Sequence, residues 1–272
     1  MFQNAKRRIF KPLPNIKKET SSRVYIINKL NLNLKMNVMK MNYLILSFVV
    51  IGVLLMLNSG CKKNDSNDNN PSTSTVTDRD GNVYNTVTIG TQEWMSENLK
   101  VTHLNDGDDL PLVTGDVEWR ELTTPAYCWY DNDLATYGDT YGALYNWYAV
   151  ATSKLCPTGW HAPTYFEFTT LINHLGGEEV AGIKLREKGD SHWLAPNENT
   201  DNSSGFTALG AGNRHNIGEF ADLKENTSFW SITEHSESYG WNLSTDGWYS
   251  YGGLGGNGNM KIYGFSVRCI KD

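Results

Sequence analysis

One run of apolar residues divides this chain into two parts with different physical properties. Residues 43–57 read YLILSFVVIGVLLML, which is shorter than the about 20 residues that a bilayer span needs. Residues 1–60 carry 10 of the 24 Lys and Arg and only one of the 30 Asp and Glu. Residues 61–272 carry 14 basic and 29 acidic side chains, a net charge of −15, and all nine Trp. The run therefore separates a basic leader, residues 1–60, from an acidic part that must fold by itself.

The leader has the parts of an export signal. Lys35 and Lys40 precede the apolar run, and Asn58-Ser59-Gly60-Cys61 follows it. A basic region, an apolar region and small residues before a break are typical of secretory signals. Because the break falls at a cysteine, residues 36–60 resemble a bacterial lipoprotein signal peptide. This resemblance implies that Cys61 is lipidated and becomes the mature N-terminus; a signal-anchor helix remains the alternative.

The first 35 residues need a separate explanation, because they carry nine basic residues and no strong apolar period. Met36, Met39 and Met41 stand directly before the signal. Our hypothesis is that translation begins at one of these methionines and that residues 1–35 are a start-site artefact.

Residues 61–77 are polar, lack aromatic side chains and cannot bury enough surface to become ordered. They predict a disordered tether between the lipid on Cys61 and a folded domain over residues 78–272. Asp65 and Asp68 resemble the surface-export signals of some Gram-negative lipoproteins. The expected location is the cell envelope, at the outer membrane, with the leaflet left open between periplasmic and surface-facing.

The composition of the acidic part restricts its fold and its partners. A net charge of −15 disfavours nucleic acid, whose phosphates select a basic face. Gly, Asn, Ser and Thr are abundant and no apolar period is long, which disfavours a helical bundle or a doubly wound α/β enzyme. The sequence predicts an α+β domain, loop-rich, with short antiparallel strands and one or two amphipathic helices.

Two elements have clear local signals. The run at 83–89, the turn Gly90-Thr91-Gln92 and Glu93-Trp94-Met95 predict an opening hairpin. Thr164 and Glu167 have capping-box spacing before an amphipathic helix that Gly176-Gly177 should end.

Weaker signals predict three further elements. Shorter helices are expected at 141–151 and 178–186, and no helical period persists after Asp190. The last strand, 263–270, should place four alternating residues on one face. They are Tyr263, Phe265, Val267 and Cys269.

Three cysteines remain beyond Cys61, and they cannot all pair within one chain. An oxidising compartment favours pairing. We predict a Cys156–Cys269 disulfide, which would join the segment before the capped helix to the last strand. Cys128, which lies among aromatic residues, is predicted to be a buried free thiol.

Eight ordered segments resemble the Fibrobacter succinogenes major paralogous domain (FISUMP) family. They are DRDGNVYNTVTIGTQEWMSENL (78–99), YCWYDND (127–133), YGALYNWYAV (141–150), LCPTGWHAPT (155–164), AGIKL (181–185), SGFTALGAGNR (204–214), FWSITE (229–234) and GFSVRCIKD (264–272). The resemblance implies a C-type-lectin-like or sulfatase-modifying-factor-like fold. It also implies a disulfide between a cysteine before the first helix and one near the C-terminus, which matches Cys156 and Cys269. It implies no established biochemical activity.

Common catalytic signatures are absent from the sequence, which contains no HExxH, GxSxG, CxxC or GxxxxGK[ST]. His161 is a candidate base or ligand, although such a histidine more often fixes a turn. The acidic turns at 106–109 and 131–133 offer oxygen ligands for calcium, but solvated turns are the favoured interpretation. The sequence therefore predicts no cofactor, no metal and no catalytic residue; an enzyme that uses His161 with nearby carboxylates is the alternative.

The aromatic residues are the most suggestive feature for function. Trp94, Trp147, Trp160 and Trp230 lie inside the family-like segments and are expected in the core. A second set lies in the region 235–259, where aromatic faces beside amides and carboxylates suit sugar rings. The candidate ligand-binding residues are Trp241, Asn242, Asp246, Trp248, Tyr249 and Tyr251.

Together these features predict a lipid-anchored envelope protein with a non-catalytic binding domain. Its expected partners are the membrane, through the lipid on Cys61, and a polysaccharide or a surface protein, but not nucleic acid. A purely structural envelope component is a further alternative.

Overall fold

Short strands from both ends of the domain build the fold. The computed structural model describes residues 74–194, 197, 199–247, 249, 251–255 and 257–272. The leader, Cys61, the tether as far as residue 73 and Trp248 lie outside the described residues.

Thirteen strands and five short α-helices occur among the described residues, which makes the domain mixed α+β and mostly strand. The strands are β1 (Thr75–Thr77), β2 (Val83–Ile89), β3 (Gln92–Met95), β4 (Tyr127–Cys128), β5 (Leu144–Tyr145), β6 (Trp160–His161), β7 (Ala211–Arg214), β8 (Phe220–Leu223), β9 (Asn226–Glu234), β10 (Tyr239–Asp246), β11 (Gly252–Leu254), β12 (Asn259–Met260) and β13 (Ile270–Lys271). The helices are α1 (Asp116–Arg120), α2 (Asp139–Tyr141), α3 (Trp147–Ala151), α4 (Tyr165–Leu175) and α5 (Glu178–Leu185), with a 3₁₀ turn at Tyr130–Asn132 and a π turn at Leu134–Gly138. Among the described helices, none has the length and apolar character to cross a bilayer.

The two larger sheets are mostly antiparallel. The first has the order β1-β2-β3-β13-β6, so the C-terminal strand lies between the opening hairpin and the segment before α4. The second has the order β11-β10-β9-β7-β8, with β12 also paired to β10 and β7 parallel to β9. The predicted hairpin of β2 and β3 is confirmed. Strand β1 pairs with β2, so residues 75–77, which were predicted to belong to the tether, form a strand of this sheet.

The predicted capped helix is confirmed as α4. Thr164 and Glu167 form the reciprocal capping box, and Gly176 ends the helix in the left-handed conformation with φ 106°. Helix α5 also forms, where 178–186 was predicted.

The predicted helix at 141–151 is wrong, because strand β5 interrupts it. Gly142 has φ 74°, a conformation that ends a helix and that favours glycine. Asn146 then caps α3 by accepting a hydrogen bond from the backbone N–H of Ala149. Most apolar residues in this interval are buried, but they belong mainly to two separate elements, β5 and α3, and not to one face of a single helix.

The Cys156–Cys269 disulfide is confirmed, with the two Cα atoms 5.9 Å apart. It lies in a buried cluster that also contains Trp147, Trp230 and Phe265. Trp94 is buried in a second cluster, and Trp160 is only half-buried. Cys128 is a buried free thiol, and burial raises its pKa to about 12.

The last segment differs from the predicted one-faced strand. Phe265, Val267 and Cys269 are buried, but Ser266 and Arg268 between them are fully buried as well. Only Ile270–Lys271 pairs as a regular strand at this end. The chain is covered on both faces here, so alternation does not separate core from solvent.

Buried arginines hold loops where regular structure is lacking. Arg268 donates to Asn98 Oδ1 and to the backbone carbonyls of Phe206 and Thr207. Arg214 donates to the carbonyls of Val113, Thr114 and Gly218. The guanidinium groups of Arg268 and Arg214 thus satisfy several loop carbonyl groups.

Candidate functional site

The structure separates the predicted ligand-binding residues. Trp241 is half-buried on β10, whereas Asn242 is buried and its amide is used within the protein, donating to Ser244 Oγ at 2.7 Å and accepting from Asn259 at 2.8 Å. Asp246, at the end of β10, accepts a hydrogen bond from the backbone of Tyr249. Asn242 therefore does not face solvent, and Trp241 has different neighbours from the residues that follow Asp246.

Tyr249 and Tyr251 lie beyond the end of β10. Tyr249 is 69% exposed. The Tyr251 hydroxyl lies 3.4 Å from Glu178 on α5. Burial, and then the Glu178 carboxylate, raise the pKa of Tyr251.

Trp241 belongs instead to a surface series of five rings, the aromatic strip. In order along the surface these are Phe166, Tyr165, Trp241, His235 and Tyr239. Successive ring centroids lie 5.8, 4.7, 4.5 and 6.4 Å apart. Phe166 is 77% exposed, His235 and Tyr239 are exposed, and Tyr165 and Trp241 are half-buried.

Two elements that are distant in sequence supply the strip. Tyr165 is the first residue of α4, and its backbone N–H donates to Thr233 Oγ1 of β9 at 3.0 Å. Next to this bond, the Ile232 N–H donates to the Pro163 carbonyl. These two bonds fix the start of α4 against β9 and bring Tyr165 next to Trp241.

The hairpin of β9 and β10 supplies the other three rings. Its turn is closed by hydrogen bonds from the backbone N–H groups of His235 and Ser236 to the Tyr239 carbonyl, both 3.0 Å. The register of the two strands shifts between Gly240 and Asn242, the interval that contains Trp241. Such an irregularity redirects a side chain relative to a regular ladder.

Buried side chains support the hairpin from below. A Cβ on Gly240 would lie 2.3 Å from the Trp147 ring, so only glycine allows this approach. Lys261 is buried, with its ammonium 4.5 Å from the centre of the Trp147 ring and bonded to Glu234 and to the Glu237 carbonyl. The β9–β10 hairpin, which carries three rings of the strip, therefore packs against buried side chains.

His161 lies between two carboxylates. Its Nδ1 is 2.7 Å from Asp272 Oδ1, and its Nε2 is 2.9 Å from Glu167 Oε1. Burial by itself would lower the pKa of His161, but the hydrogen bonds to Asp272 and Glu167 outweigh it, so the pKa is raised. Both ring nitrogens are thus engaged in joining β6, the C-terminus and α4.

The acidic turns have local structural partners. Asp106 pairs with Lys154, and Asp133 accepts from the backbone and hydroxyl of Thr136. In the part of the chain that the structure describes, no three His, Cys, Asp or Glu side chains come together as a metal site.

A small cleft of about 260 Å³ opens at the far end of α4. Its polar lining includes His174, Lys184, Ser203 and Ser204. Lys184 donates to the Leu175 carbonyl at 2.7 Å, and Ser204 donates to the Lys184 carbonyl. The cleft thus lies at the opposite end of α4 from the aromatic strip.

Four members of the strip were not among the candidate residues from sequence. His235 and Tyr239 lie inside the predicted 235–259 region, but without a specific signal. Phe166 did carry one, because it lies outside the apolar face of the predicted helix, and a large apolar residue there has no place in the core.

The fold and the strip thus define a disulfide-tied α+β domain with an aromatic surface. The model of the Fibrobacter succinogenes major domain family matches residues 87–271, so the chain belongs to this family. No curated protein and no solved structure matches the chain.

Proposed function

We propose that this protein is a lipid-anchored component of the cell envelope whose domain binds carbohydrate, without catalysis, through the aromatic strip. The observation that carries the proposal is the series of five contacting rings at the surface, of which three are exposed. Aromatic faces pack on the apolar faces of sugar rings, and neighbouring polar groups bond the hydroxyls.

The backbone that carries the strip is tied to the rest of the domain, which supports a binding role. One hydrogen bond joins the Tyr165 backbone N–H to Thr233, and Gly240 packs directly on Trp147. A surface whose backbone is already in place has less conformational entropy to lose when a ligand binds.

We further propose that the domain has a C-type-lectin-like fold. A disulfide from the segment before α4 to Cys269, directly before the last strand, the helices α4 and α5, and long connections between short strands support this proposal. In such an arrangement the scaffold and the recognising surface are separate.

The proposed anchor is a lipid on Cys61 at the outer membrane. It is supported by the sequence pattern before Cys61 and by the polar segment after it. The test is incorporation of an alkyne-tagged fatty acid into the full chain in cells. We expect the Cys61→Ala variant to lose the label and remain uncleaved, while Cys128→Ala keeps it; equal labelling of both variants would refute the anchor.

The binding proposal is tested by screening the full chain, purified in mild detergent, against a panel of plant, microbial and host glycans. We expect Phe166→Ala and Trp241→Ala each to lower affinity about tenfold, which corresponds to the loss of one aromatic contact. Tyr249→Ala is the matched control, because Tyr249 is exposed but lies outside the strip.

Two results would contradict the proposal. Loss of binding in Tyr249→Ala alone would move the site to the loop after β10. Absence of glycan binding by a chain with native circular dichroism would reject a carbohydrate role and favour a surface protein as the partner.

A further inference from the structure

The charges beside the aromatic strip restrict the kind of carbohydrate that it accepts. At the hairpin end stand Glu234, whose side chain is 55% exposed, and the exposed Glu237. At the α4 end stand Glu167 and Asp272, with side chains 27% and 62% exposed. Carboxylates therefore lie at both ends of the strip.

The cations that lie beside these carboxylates are already engaged. The Lys261 ammonium is buried and is bonded to Glu234 and to the Glu237 carbonyl. The His161 ring is bonded through both nitrogens to Glu167 and Asp272. Neither group can turn to a ligand without leaving a carboxylate or a buried site uncompensated.

In the described part of the chain, an anionic sugar would therefore meet these carboxylates, whereas the Lys261 ammonium and the His161 ring beside them are already paired. Recognition of carboxylate or sulfate groups normally uses Arg or Lys with free donors. The exported part of the chain, with a net charge of −15, would also repel a polyanion at long range. The hydroxyls of an uncharged sugar are not repelled in this way, because they donate hydrogen bonds to carboxylates.

The arrangement of the rings adds a second restriction. Among the five rings only successive pairs are in contact, with centroid distances of 4.5 to 6.4 Å, so the rings form a series rather than a cluster in which each ring touches all the others. Ser236 and Ser238 are exposed residues in the turn beside it. A ligand that covers the whole strip needs several sugar residues in a row.

We infer that the ligand of the aromatic strip is an uncharged polysaccharide chain, bound over several consecutive sugar residues. This inference rests on the proposed carbohydrate-binding function and specifies its substrate class. Contacts at both ends, Phe166 and Tyr239, contribute only when the chain is long enough to span them.

The test compares neutral polysaccharides (mixed-linkage β-glucan, arabinoxylan, galactomannan) with acidic ones (polygalacturonate, alginate) by affinity electrophoresis of the full chain. EDTA is present so that no divalent ion bridges carboxylates. Oligosaccharides of two and of six residues from the best neutral polymer are then titrated calorimetrically. We expect binding to neutral polymers only, and affinity for the hexamer at least about tenfold above that for the dimer.

Variants connect the selectivity to the strip. Phe166→Ala and Tyr239→Ala should each weaken the hexamer and leave the dimer less affected. Glu237→Lys should create binding to the acidic polymers that is lost at high salt, whereas Glu121→Lys, the matched control at an exposed position outside the strip, should create none.

The outcomes separate this inference from the function on which it rests. Preference for an acidic polymer that Phe166→Ala abolishes would overturn the uncharged ligand but keep the strip as a glycan site. Equal affinity for dimer and hexamer would overturn the extended chain. Absence of binding to every polymer by the folded chain would overturn both proposals.

Discussion

His161 shows how one residue gains its role from partners that are distant in sequence. From sequence it was a candidate base or the donor of a turn hydrogen bond. In the structure Glu167 and Asp272 occupy its two nitrogens, and Glu167 also forms half of the capping box of α4. The residue therefore links the last residue of the chain to the start of the helix that carries two rings of the strip.

This arrangement makes part of the stability depend on pH. The folded-state pKa of His161 is raised above its ordinary value of 6.5, so its contribution is fully present below about pH 6.5 and is lost as the pH rises through the folded-state pKa. We expect the difference in free energy of unfolding between the wild type and His161→Gln to shrink between pH 6 and pH 9. Urea unfolding across this range measures it.

The matched control is His235→Gln, since the ring contacts of His235 are with Trp241 and Tyr239 rather than with carboxylates. If the difference in free energy of unfolding between the wild type and His161→Gln does not shrink with rising pH, the ionic contribution of His161 is contradicted.

Arg268 allows a second test at the level of one residue. Its guanidinium serves three acceptors on two loops, and burial lowers its pKa to about 9. Lysine keeps the charge but cannot reach the same acceptors in one plane. We expect Arg268→Lys to lower the free energy of unfolding by about 2–4 kcal/mol, measured by urea denaturation. Arg120→Lys, at an exposed position, should change it by less than about 0.5 kcal/mol.

Among the elements, α4 joins the core to the candidate site. Its apolar face, Phe168, Leu171, Ile172 and Leu175, is buried in one cluster with Trp94 and Phe229. Its first turn presents Tyr165 and Phe166 to the strip. One short helix thus places buried residues in the core and exposed rings at the surface.

The cap of α4 should therefore matter for stability. Thr164 accepts the Glu167 N–H and donates to the Glu167 carboxylate. We expect Thr164→Ala to cost about 1 kcal/mol in the free energy of unfolding. Thr170→Ala is the control, because Thr170 is exposed within the helix and only bonds the Phe166 carbonyl; alanine favours the helix there. Equal costs for the two variants would argue against the capping box.

For the whole molecule, the disulfide connects the middle of the chain to its end. It closes a segment with a sequence separation of 113, within which lie both α4 and the β9–β10 hairpin. The elements that build the strip are therefore inside the closed loop. Its constraint acts on the unfolded chain more than on any single contact of the folded one.

The disulfide should accordingly dominate the response to reductant. On the chain-entropy model a loop of this length contributes about 4–5 kcal/mol. We expect dithiothreitol to lower the urea midpoint of the wild type and of Cys128→Ala, but not that of the double variant Cys156→Ala, Cys269→Ala, which is already destabilised. An unchanged midpoint in protein whose thiols are shown to be reduced would contradict this.

Local patterns were sufficient for the features that depend on residues close in sequence. The β2–β3 hairpin and α4 with its capping box need only a turn, an apolar period or two residues three positions apart. The apolar spacing at 141–151 failed, because periodicity records burial but does not distinguish one helix from two elements separated by Gly142 and β5.

The candidate site was decided by tertiary structure. The sequence indicated an aromatic region at 235–259, yet it could not join Trp241 to Tyr165 and Phe166. That neighbourhood depends on the bond from Tyr165 to Thr233, 68 positions apart, and on the irregular register near Trp241. The sequence also could not show that Asn242 is buried and hydrogen-bonded to Ser244 and Asn259. Helix caps and turns are set by interactions along the chain, whereas a surface made from several elements exists only once the core has placed them side by side.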